Sequence, residues 1–67
     1  MSTTERLVDK IVSAILELDV GTPLTGIRRN PVATINRALS SVGAARVRDL
    51  KDVASLRRAL SSLERLL

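Results

Sequence analysis

Asn30-Pro31-Val32-Ala33-Thr34-Ile35-Asn36-Arg37-Ala38-Leu39-Ser40-Ser41-Val42-Gly43 reads as one complete helix with its start and stop written into it. Asparagine is a favoured N-cap because its side-chain oxygen can accept from the first unpaired amides. Proline suits the first helical position, where its missing N–H would have had no partner anyway. Val32, Ile35, Leu39 and Val42 recur at helical spacing and predict a buried stripe, with Ala33 and Ala38 allowing close approach by a neighbour. Gly43 closes the element, since glycine reaches the left-handed backbone in which helices often end.

Upstream, Ser2-x-x-Glu5 is a capping-box pattern just ahead of an apolar periodic run. Leu7, Ile11, Ala14, Ile15 and Leu18 line one face, and Val8, Val12 and Leu16 widen it to nearly half the helix. An arc that broad predicts two packing neighbours. Asp19-Val20-Gly21-Thr22-Pro23 should end this helix, and Thr22-Pro23 could start one short turn that Gly26 stops. Downstream, residues 44–67 predict a short helix holding Val47 and Leu50, a bend near Asp52, and a longer helix capped by Asp52. Its apolar stripe is Val53, Leu56, Leu60, Leu63 and Leu67. No strand pattern occurs, so the expected fold is all-α: one domain over residues 1–67, a compact bundle of four to five short helices.

Composition narrows the chemistry. Of the 67 residues, none is histidine, cysteine, phenylalanine, tyrosine or tryptophan. The core must therefore be built from aliphatic side chains, and in so small a domain that gives only about 3–5 kcal/mol. Self-association would add to it. Without thiols or imidazoles there is no disulfide framework and no zinc or other transition-metal site. The serines have no histidine to activate them, so no enzyme and no cofactor is expected. No apolar run approaches a membrane span, and the charged segment after Met1 is unlike a signal peptide, which makes the cytoplasm the expected location. The restricted residue set also fits a simplified or engineered scaffold with no ligand.

The net charge of +4 is unevenly spread. Residues 1–27 set Arg6 and Lys10 against Glu5, Asp9, Glu17 and Asp19, for a net of −2. Residues 28–58 set Arg28, Arg29, Arg37, Arg46, Arg48, Lys51, Arg57 and Arg58 against Asp49 and Asp52, for a net of +6. Charges on small helices often do nothing more than solvate exposed faces. A sharper reading has Arg28, Arg29, Arg37, Arg46, Arg48 and Lys51 converging on one surface that grips phosphates, a task for which the planar guanidinium fork is suited. With no aromatic ring to stack on bases, the ligand would be duplex rather than single-stranded nucleic acid. Base readout by Asn36 or Arg37 is conceivable, although both positions read as solvent-facing. Asp49 and Asp52, surrounded by cations, read as capping or salt-bridging groups rather than as a catalytic pair.

Leu24-Thr25-Gly26-Ile27 followed by Asn30-Pro31-Val32-Ala33 resembles a helix-hairpin-helix motif, and Leu39-Ser40-Ser41-Val42-Gly43 with Val47-Arg48-Asp49-Leu50 resembles the link between paired hairpins. Similar spacing occurs in the competence DNA receptor and in the C-terminal domain of the RNA polymerase alpha subunit. The resemblance covers about residues 22–65 and implies a SAM-like helical domain that holds DNA phosphates. The contacts it implies are Gly26, Ile27, Arg28, Arg29 and Asn30, through backbone amides at a helix start with arginines beside them. Arg28 stands where the family's second turn glycine is usual, and the second hairpin has no glycine. In topology the chain also resembles acyl carrier proteins, but Asn30-Pro31 lies where their modified serine would fall, and the region is basic where theirs is acidic. The leucine series Leu56, Leu60, Leu63 and Leu67 fits either one core face or the seam of a homodimer. The expected partner is double-stranded DNA or, alternatively, an acidic protein met by a docking or dimerisation module.

Overall fold

A computed structural model describes residues 2–18 and 24–67. Among these, three helices form: α1 (Thr3–Leu18), α2 (Pro31–Ser41) and α3 (Val53–Leu66). Each begins at the cap its sequence offers. Ser2 Oγ accepts from the Glu5 amide at 3.2 Å, Asn30 Oδ1 from Ala33 at 3.3 Å, and Asp52 Oδ1 from Ser55 at 3.2 Å. The end of α2 is a Schellman motif around Gly43, whose φ is +71°. The Gly43 amide donates to the Ser40 carbonyl at 3.2 Å and the Ala44 amide to Leu39 at 2.9 Å, which satisfies carbonyls the helix would otherwise leave unpaired.

The expected four to five helices are three, because the two short ones are turns. In the first, Ile27 donates to the Leu24 carbonyl at 3.2 Å, with Gly26 at φ +85°, the value a type II turn requires at its third position. The predicted end of α1 at Asp19-Val20-Gly21 and the start of that turn at Thr22-Pro23 lie outside the described residues. In the second, residues 44–52 are not helical because side chains take their backbone groups away. Asn36 engages both the N–H and the C=O of Val47, Ser55 Oγ accepts from the Arg48 amide at 3.2 Å, and Asp49 Oδ1 accepts from the Lys51 amide at 2.9 Å. Side chains that bind nearby backbone in this way compete directly with helix formation.

The core gathers Leu7, Ile11, Ala14 and Ile15 from α1, Ile35, Ala38 and Leu39 from α2, Ala44 and Val47 from the link, and Leu56, Ala59 and Leu63 from α3. α1 packs chiefly on α3 and only sparingly on α2, so its two expected neighbours are unequal. Its wide apolar arc is accordingly not all used. Val8, Val12 and Leu18 are half-buried, while Leu16, a further 100° round the helix from Ile15, is 65% exposed. Ala33, expected at a helix contact, faces solvent, whereas Ala38 is buried. The radius of gyration, 10.5 Å, is near the roughly 11 Å expected of a compact chain of this length. No helix of the described residues is long and apolar enough to cross a membrane.

Candidate nucleic-acid interface

The basic residues fall into two groups around α2. Arg28 and Arg29 are exposed in the turn that feeds the helix. Here the backbone is largely occupied with its own geometry. Arg29 and Asn30 both donate to the Gly26 carbonyl, at 3.0 and 2.9 Å, and Ile27 donates to Leu24. Of the amides from Gly26 to Asn30, only those of Gly26 and Arg28 stand outside these bonds. At the start of α2 the Val32 amide stands outside such bonds and its neighbours are engaged. Pro31 has no N–H, Ala33 is capped by Asn30, and the Thr34 amide and hydroxyl both reach the Asn30 carbonyl, at 3.1 and 2.9 Å. Ile27 is half-buried and packs on the core, holding the turn in place. An anion here would meet the exposed Arg28 and Arg29, with the Gly26, Arg28 and Val32 amides as the remaining backbone donors.

The second group is organised by Asn36. Its Nδ2 donates to the Val47 carbonyl at 2.9 Å, and its Oδ1 accepts from the Val47 amide at 2.7 Å. Residue 36 therefore does not face solvent, and it cannot read bases. It is buried, and both the nitrogen and the oxygen of its amide are bonded within the chain. The signal was present in the sequence: Asn36 has Val32 four residues before it and Leu39 three after, which places it on the apolar stripe. With Val47 clamped inward, Arg46 and Arg48 on either side of it are exposed, and so is Arg37, next to Asn36 on the helix. The buried amide thus ties the link that carries Arg46 and Arg48 to the helix that carries Arg37. Lys51 is exposed in the turn that follows. Arg58, absent from the site expected from sequence, is exposed one turn along α3 from Ser55, the residue that holds Arg48.

The two groups are separated along α2 by the six residues from Asn30 to Asn36, about 9 Å of axial rise. That is close to the ~8 Å screening length at physiological salt, so each group adds to the potential felt at the other. Among the described residues none of these cations is held in an ion pair. No buried side-chain nitrogen or oxygen among them lacks a hydrogen-bond partner, and no cluster of three carboxylates or other ligand groups could hold a metal ion.

Of the leucine series, Leu56 and Leu63 are fully buried in the chain's own core. Leu60 is half-buried and Leu67 is 59% exposed, with Leu66 beside it at 49%. At this end of α3, a contact with another molecule that leaves the fold intact has Leu60, Leu66 and Leu67 to use. Comparison with protein-family models, with curated proteins and with solved structures finds no match.

Proposed function

We propose that this domain is non-enzymatic and binds double-stranded DNA through its backbone phosphates, using Arg28, Arg29, Arg37, Arg46, Arg48 and Lys51. The observation that supports this reading is the Asn36–Val47 clamp, which ties the link carrying the exposed Arg46 and Arg48 to the helix that carries the exposed Arg37. Fixing cations before the ligand arrives reduces the ordering cost of binding. Each phosphate neutralised releases condensed counterions, and six such contacts supply affinity without any base contact. Duplex is favoured over single strands because the chain has no aromatic side chain to stack on a base. We further read the Gly26 turn and α2 as a divergent helix-hairpin-helix element. In it, Arg28 and Arg29 take over the phosphate contact that backbone amides make in the family.

The test is a titration of a labelled duplex of about 20 base pairs at low and moderate salt, beside the Arg46→Ala/Arg48→Ala and Arg28→Ala/Arg29→Ala variants. Binding at low salt that both variants weaken is the expected result. Failure of the intact protein to bind even at low salt would sink the proposal. A second reading, a docking or dimerisation module, is favoured by the exposed Leu66 and Leu67. Association through them would survive salt and be lost on Leu67→Ser.

A further inference from the structure

α1 and α3 start at the same end of the molecule. Leu50, just ahead of α3, shares a shallow cleft with Thr4, Glu5 and Val8. Farther along, α1 between Asp9 and Glu17 faces α3 between Leu60 and Leu67 across an open groove of about 370 Å³. The two helices therefore finish side by side. Each helix C-terminus carries roughly half a negative charge on its unpaired carbonyls. The last turn of α1 has no basic residue to offset it, and that of α3 has only Arg65.

The groove's side chains act in the same direction. Asp9, Glu17 and Glu64 line it with Lys10 as the one cation, over an apolar floor of Ala14, Leu60 and the exposed Leu67. On a chain of net charge +4 this is a local inversion of sign, and no lining residue comes from the basic segment between the helices. Anionic ligands are repelled here, a negatively charged membrane surface among them. A second copy docking groove to groove would set the same three carboxylates against each other, which is destabilising.

We propose that this groove docks a basic amphipathic helix of a partner protein. Asp9 to Glu17 spans about 12 Å of axis, two turns of a partner helix, which accommodates apolar anchors at i, i+3 or i+4, and i+7. Those anchors enter over Ala14 between Leu60 and Leu67, and flanking lysines or arginines meet Asp9, Glu17 and Glu64. The site shares no residue with the proposed DNA surface and does not depend on it.

The probe is a fluorescein-labelled peptide of about 14 residues with leucine along one face and lysine elsewhere. It is titrated into the intact protein beside a scrambled peptide of the same composition. Saturable binding is expected, weakened at least ~10-fold by scrambling and by the Glu17→Lys/Glu64→Lys reversal. Both reversed positions are exposed, and circular dichroism checks that the variant is folded. Leu67→Ser, also at an exposed position, supplies a second variant that should weaken binding without charge reversal. Amide shift changes in NMR spectra should be confined to residues 9–17 and 60–67. No binding, equal binding of the scrambled peptide, or shifts centred on the arginines would each overturn the proposal. So would a dimer in sedimentation equilibrium that Leu67→Ser dissociates, since the groove would then belong to a second copy.

Discussion

The side-chain amide of Asn36 does for Val47 what a neighbouring strand would do, accepting its N–H and donating to its C=O. Both of those backbone groups are buried and have no water to fall back on, so removing the amide leaves each unsatisfied at about 1–3 kcal/mol apiece. Asn36→Ala should therefore lower unfolding stability by about 2–6 kcal/mol, most or all of what so small a domain has. Arg37→Ala, one residue along and exposed, should stay within about 0.5 kcal/mol. Urea unfolding monitored by circular dichroism compares the two. A loss below about 1 kcal/mol for Asn36→Ala would mean that the 44–52 link is held without it, by Val47 and Ala44 packing and by the Ser55 and Asp49 bonds. The contrast matters for function too, because the same amide fixes the backbone from which Arg46 and Arg48 project.

At the scale of elements, the link between α2 and α3 depends on how α2 stops. Gly43 sits at φ +71° with no atom close enough to obstruct an added Cβ, so a side chain there meets backbone strain but no clash. Gly43→Ala should destabilise by about 1–2 kcal/mol and Gly43→Asn by less, since asparagine tolerates the left-handed region better. Thermal melts that rank alanine and asparagine equally would place the cost elsewhere. Starts and stops such as this were legible in the sequence because a cap is local: Ser2, Asn30 and Asp52 each stand directly before an apolar periodic run, and Gly43 directly after one. Residues 44–51 were not. Val47 and Leu50 have the spacing of one helical turn, and what overrides it is a tether from Asn36, eleven residues away, together with Ser55. The candidate site divides in the same way. Its charges could be read off the chain, but where the backbone of Arg46 and Arg48 stands depends on that tether, and so does the burial that removes Asn36 from the list of base readers.

For the whole molecule, the decisive quantity is how many cations meet phosphates at once. A ligand contacting one group of arginines and a ligand contacting both differ in salt dependence, which counts the contacts directly. The slope of log K against log salt is about −0.9 per phosphate neutralised. Six contacts from Arg28, Arg29, Arg37, Arg46, Arg48 and Lys51 therefore predict a slope near −5 for duplex DNA. Removing Arg46 and Arg48 should reduce it by about 2, and removing Arg28 and Arg29 by the same amount, if the duplex spans the ~9 Å between the groups. Suppose only the Arg46→Ala/Arg48→Ala pair changes the slope. The duplex then sits on the clamped group alone, and the Gly26 turn has no part in binding. If neither pair moves it, attraction to the net charge is all there is, and the clamp has no bearing on DNA. Measuring both slopes on folded variants tells these apart, because a change in overall charge shifts affinity smoothly, whereas a lost contact removes a counted counterion.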